Sequence, residues 1–125
     1  MNENELANRV IGHAIEVHKI LGPGLLENVY KESLFHLIKK DGLNIEKEKT
    51  MSVAFHEITI ESGYRIDLLV ENKLLIELKS VDSINEIHLS QTLTYLRLGK
   101  FKLGLLINFN VPRLKEGIKR VANGI

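Results

Sequence analysis

The sequence predicts an α/β fold: a mixed four-stranded sheet flanked by helices, with elements in the order α-α-β-β-β-α-β-α. Three observations predict it. Two helical apolar periodicities open the chain and meet at Gly22-Pro23-Gly24; two runs of period 2 follow back to back over residues 64–79; and a nearly continuous apolar run, Leu103 to Phe109, comes after a third helical segment.

Residues 4–21 carry Ala7, Val10, Ile11, Ala14, Val17 and Leu21 at helical spacing, and Gly22-Pro23-Gly24 ends that helix. A second helix is expected from about Leu25 to Lys40, burying Leu26, Val29, Leu34, Leu37 and Ile38 and stopping at Asp41-Gly42. Strand-like stretches follow near 45–55 and 58–61, ahead of the period-2 runs. Asp82-Ser83 is expected to open a third helix, with Ser83 and Glu86 at capping-box spacing, and Gly99 to close it. The run Leu103-Gly104-Leu105-Leu106-Ile107-Asn108-Phe109 suits a strand covered on both faces. Pro112 fits the first turn of a short terminal helix reaching about Ala122. A helical crossover from Lys79 to Leu103 makes the last strand parallel to its predecessor, so the sheet is mixed.

The period-2 runs carry the chemistry. In the first, Tyr64, Ile66, Leu68 and Val70 alternate with Arg65, Asp67 and Leu69; in the second, Leu74, Ile76 and Leu78 alternate with Leu75, Glu77 and Lys79. Pairing Val70 with Leu74 across Glu71-Asn72-Lys73 sets Leu68 against Ile76, Ile66 against Leu78 and Asp67 against Glu77. A slip of one residue would oppose apolar to polar along the whole hairpin. Opposed residues have Cβ atoms roughly 4.5–5.5 Å apart, near enough for two carboxylates to share a divalent cation and to repel without one.

Composition narrows the chemistry. The 125 residues are expected to form one domain, 1–125, and with 44% apolar and 26% charged residues the chain is an ordinary globular one. There is no cysteine, which excludes disulfides and thiolate zinc and leaves carboxylate, carbonyl, imidazole or water as metal ligands. Mg²⁺ or Mn²⁺ suits that set. A net charge of +1 gives no global pull on nucleic acid, yet Arg97, Lys100, Lys102, Arg113, Lys115, Lys119 and Arg120 gather late in the chain, as a phosphate-binding patch or as solvated faces. A polar, acidic start and the lack of any apolar run near the roughly 20 residues of a membrane span point to a cytoplasmic protein with no membrane association.

Asp67, nine intervening residues and then Glu77-Leu78-Lys79 resemble the signature of the PD-(D/E)XK nuclease superfamily, whose restriction-endonuclease-like core is a helix, three strands, a helix and a strand, an order the elements read above contain. Gly24-Leu25-Leu26-Glu27-Asn28-Val29-Tyr30 resembles the namesake motif of the GxxExxY family within it, and Gln91-Thr92-Leu93-Thr94-Tyr95 is similar to the Q-x-x-x-Y element of RecB-like nucleases. The resemblance runs from about Leu6 to Ala122. It implies metal ligation by Asp67, Glu77, the Leu78 carbonyl and Glu27, water activation by Lys79, and a supporting role for Gln91 and Tyr95.

What the resemblance implies is a Mg²⁺- or Mn²⁺-dependent nuclease that hydrolyses phosphodiesters, with DNA as the expected substrate. Two other readings stay open: a catalytically silent module binding nucleic acid or protein, and a nuclease subunit targeted by a partner. A homodimer is a further expectation, since small nucleases of this fold often pair to reach two strands. Of the remaining candidates, Glu27 fits a first-turn acid favoured by the helix dipole whatever its chemistry, Tyr30 is expected to pack, and His18 lies on the apolar face of the first helix as a structural residue.

Overall fold

The computed structural model describes residues 1–124. Three α-helices, α1 (Glu3–Leu21), α2 (Glu27–Lys40) and α3 (Glu86–Gly99), accompany strands β1 (Ile45–Phe55), β2 (Ile58–Val70), β3 (Leu74–Lys79), β4 (Leu103–Asn108) and β5 (Ile118–Ala122). The sheet has five strands in the order β1-β2-β3-β4-β5, all antiparallel neighbours except the parallel pair β3–β4. No described helix is long and apolar enough to cross a membrane.

The expected terminal helix is absent: a single 3₁₀ turn, Leu114–Gly117, leads into β5 instead. The reason lies in β4, which is buried at every position and would present a row of unpaired amides and carbonyls on its outer side. β5 pairs with it from Leu103–Ala122 to Ile107–Ile118 and supplies those partners. Gly117 allows the turn to close, because a Cβ there would overlap the Asn108 carbonyl.

On one face of the sheet, α1 and α2 pack Leu6, Val10, Ala14, Tyr30, Leu34 and Ile38 against the inward residues of β2, β3 and β4. α1 is capped by Asn2 and Glu5 in a reciprocal box. His18 is buried and bonded through Nε2 to the Val111 carbonyl at 2.8 Å, a structural residue as expected. α2 starts at Glu27, and Leu26 and Val29 are exposed rather than buried, Leu26 by 78%. The buried stripe is Tyr30, Lys31, Leu34 and Ile38. Leu26 continues its spacing but lies at the extended N-cap, where the chain turns its side chain outward.

α3 covers the other face, with Leu96 and Tyr95 packed against Ile66, Leu69 and Leu75. Gly104 on β4 permits the close approach, since a Cβ there would crowd Leu96 and Thr92. The helix begins at Glu86, capped by Asn85 and His88, and not at Asp82-Ser83. Asn108 explains the delay: its side-chain amide clamps Val81 by both N–H and C=O, at 3.0 and 2.9 Å, and keeps the segment after β3 tied to the end of β4.

The hairpin register is as read: Val70–Leu74, Leu69–Leu75 and Leu68–Ile76. Glu71 and Asn72 both have φ of 53°, as the reversal requires. Beyond Leu68 the expected alternation fails. Leu68 and Val70 face α1 and α2, but Tyr64 and Ile66 pack on the α3 side, so Ile66 does not face Leu78. β1 reverses at the same level, with Ile45 on the helix-pair side and Met51 on the α3 side. Both strands switch faces at the Glu48–Asp67 position.

Candidate active site

Placement begins with the link between α1 and α2. The Tyr30 ring is fully buried and stacks on Phe109 at 4.5 Å, while its hydroxyl donates to the Gly22 carbonyl at 2.6 Å and accepts from the Leu25 amide at 3.0 Å. Ser80, the residue after Lys79, donates to the Leu25 carbonyl at 2.7 Å. Tyr30 thus packs, as expected, and also moors the turn that sets Glu27 beside the end of β3.

The β2–β3 ladder stops at Leu68–Ile76, and the next level is bridged by the two acids themselves. The Asp67 amide donates to Glu77 Oε2 at 2.9 Å, and the Leu78 amide donates to Asp67 Oδ2 at 2.9 Å. Each carboxylate replaces a missing ladder carbonyl, so both are fixed in position. Each keeps a second oxygen that bonds to no other group among the described residues. Within a strand a residue's N–H and C=O point to the same side, so the Leu78 carbonyl also opens toward this gap.

Glu77 is 4% exposed. Burial, and after it the Asp67 charge, pushes its pKa up to about 8, against smaller lowering effects from the Asp67 amide and Lys79. Glu27 is exposed at the first turn of α2, yet partial desolvation and the Asp67 charge raise its pKa, and Lys79 and Lys31 oppose the rise. Glu27 thus lies within electrostatic reach of Asp67 and Lys79 as well as of Lys31, and it forms no ion pair with Lys31, whose partner is Glu48. The pKa of Tyr95 on α3 is raised by burial and then by the Glu77 and Asp67 charges, so its phenol lies within electrostatic reach of the pair; its ring stacks on Tyr64 at 4.6 Å. Gln91 lies one turn earlier, half-buried on the same stripe of α3.

Among the described residues no three His, Cys, Asp or Glu side chains converge at metal-binding distance. Asp67 and Glu77 come together, whereas Glu27 stands near them without completing a three-carboxylate shell. The donors still fit a hard divalent cation: two carboxylates with an oxygen each to spare, a peptide carbonyl aimed between the strands, and in Glu77 an acid that burial and the Asp67 charge hold protonated until a counter-charge arrives.

Lys31 and Glu48 were not singled out from the sequence. Glu48 sits in the run Glu46-Lys47-Glu48-Lys49, which reads as a solvated strand face. Lys31 lies one turn after Glu27, a spacing that alone signals only an exposed helix pair. In the structure the Lys31 side chain is 9% exposed and its ammonium meets Glu48 at 3.1 Å.

A family model described as PD-(D/E)XK nuclease superfamily matches residues 4–121. The crystal structure of SSO0001 superposes with a TM-score of 0.58 at 20% sequence identity, over 79% of this chain and 51% of that one, a likeness of fold. The chain thus spans about half the length of that solved structure. No curated protein matches the sequence. With the acid pair, the adjoining lysine and the mixed sheet all in the matched span, the chain belongs to the PD-(D/E)XK nuclease superfamily.

Proposed function

We propose that the chain is a divalent-metal-dependent nuclease of the GxxExxY type, hydrolysing phosphodiester bonds in DNA with Mg²⁺ or Mn²⁺. The observation that carries this is the reciprocal pair of amide–carboxylate bonds, which freezes Asp67 and Glu77 side by side at the point where β2 leaves β3. A merely structural role seldom sets a buried acid against a second one, because ionising both opposes folding unless a cation joins them.

Asp67, Glu77 and the Leu78 carbonyl would hold the metal. A bound divalent cation supplies a Lewis acid for the scissile phosphate and lowers the pKa of water. The chain's own part is positioning and charge. Lys79, on the same strand face as Glu77 and within electrostatic reach of Glu77 and Glu27, sets a positive charge beside the place where phosphoryl charge accumulates. Glu27, moored by Tyr30 and Ser80, faces that place from α2 and is suited to accept a proton from water or to orient it. Tyr95, whose phenol feels the Glu77 and Asp67 charges, and Gln91, one turn before it on the same stripe, would support the site from α3.

A panel of labelled DNA and RNA substrates with Mg²⁺ or Mn²⁺, beside Asp67→Ala, tests the reading. Metal-dependent cleavage by wild type that vanishes in the variant supports it. Absence of both metal binding and cleavage would instead favour a silent binding module.

A further inference from the structure

Glu48, opposite Asp67, has φ of 53°, in the left-handed region, and the β1–β2 ladder runs from Lys47–Leu68 to Lys49–Ile66 without that pair. Counting alternate bonded pairs from the Asn44 carbonyl and Glu71 amide, an unbroken ladder would take the Asp67 amide to the Glu48 carbonyl. It goes to the Glu77 carboxylate instead. A left-handed backbone is unfavourable for a residue with a side chain, because its Cβ crowds the following carbonyl, so something must hold Glu48 there. Lys31 reaches Glu48 Oε1 at 3.1 Å with its own side chain 9% exposed, and Arg65 approaches the same oxygen at 3.6 Å. A buried ammonium needs its counter-charge far more than a half-exposed carboxylate does, so Lys31 dictates where Glu48 sits.

We propose that Lys31 is a positioning residue for the candidate metal centre: by gripping Glu48 it maintains the break between β1 and β2 and hands the Asp67 amide to Glu77. The inference rests on reading Asp67 and Glu77 as that centre, and it extends the centre to a residue that does not touch it. Geometry and simple charge make opposite forecasts. Lys31 is a cation near a cation site, so deleting its charge alone tightens metal binding, whereas losing the break weakens it.

Lys31→Met keeps the length of the buried stem. In the metal-free variant the ¹³Cα and ¹³Cβ shifts of Glu48 are expected to move from left-handed to extended values, and Mn²⁺ affinity by calorimetry to fall roughly tenfold or more, the usual effect of removing a support of a metal ligand. Adding Glu48→Gly, which adopts the left-handed backbone without steric cost, restores the affinity. Should Lys31→Met fail to fold, Glu48→Ala, at a side chain 41% exposed, carries the same two readouts. Unmoved shifts at residue 48, or Mn²⁺ affinity that rises, overturns the proposal. If wild type binds no Mn²⁺ while the shifts still move, the metal reading fails and the coupling of Lys31 to the break stands.

Discussion

Glu77 is the acid on which burial and function conflict most directly. In the unfolded chain it ionises near its ordinary 4.5, and in the folded chain near 8. Between those values the folded state holds a proton that the unfolded state has released, so without metal the stability it contributes is present below pH 4.5 and is lost as pH rises through about 8. Glu77→Gln is therefore expected to raise metal-free stability at pH 9 by on the order of 1–3 kcal/mol, read from urea melts. The same proton must leave when a cation binds. Mg²⁺ titrations at pH 7 in buffers of different ionisation enthalpy should show close to one proton released, falling toward none at pH 9. The facing of Glu77 and Lys79 was legible because Leu74, Ile76 and Leu78 alternate with them. The reciprocal amide bonds were not, since nothing in Tyr64–Val70 distinguishes a regular strand from one that reverses its faces at Asp67: both sides of the reversal are apolar.

Elements whose period is local were legible in outline, and those defined by a distant partner were not. α1 has its register in its own apolar spacing and its end in Gly22-Pro23-Gly24, and the β2–β3 hairpin has its register in two matched alternations. β5 draws its identity from β4, which needs a partner on its outer side, and no local signal in Ile118–Ala122 outweighs the helical cue of Pro112. The start of α3 slipped for a like reason, because Asn108 holds Val81 from across the sheet. Asn85→Ala should then lower stability by about 1 kcal/mol, the usual worth of an N-cap, while Ser83→Ala should leave it unchanged in the same melts. The α1–α2 link makes a sharper case. Tyr30→Phe preserves the stack on Phe109 but removes the hydroxyl between Gly22 and Leu25, and should cost about 1–2 kcal/mol. Because that link also sets Glu27, the variant should lose cleavage beyond what its stability loss explains, measured well below its melting point.

Charge is distributed over the whole molecule in a way that the sequence order concealed. Lys100 and Lys102 sit where α3 ends and β4 begins, beside Leu74, whereas the acid pair lies near the other end of β3, roughly 10–16 Å along the strands. The late cluster of basic residues is therefore not one patch around the site. Arg65 is two residues from Asp67 with its side chain 58% exposed, and Arg113 follows the site end of β4. If nucleic acid crosses the Asp67–Glu77 gap, its phosphates meet these arginines before the distant lysines. Affinity from such contacts comes largely from counterion release, so each lost phosphate contact lowers the slope of log K against log salt by about 0.9 on duplex DNA. Replacing Arg65 and Arg113 by Gln is expected to weaken binding to a DNA duplex at low salt and to reduce that slope by between one and two. Replacing Lys100 and Lys102 should change neither, although all four substitutions remove the same kind of charge. Equal losses from both pairs, read by fluorescence anisotropy across a salt series, would mean that the contact surface extends along the sheet to the α3 C-terminus and is not centred on the acid pair.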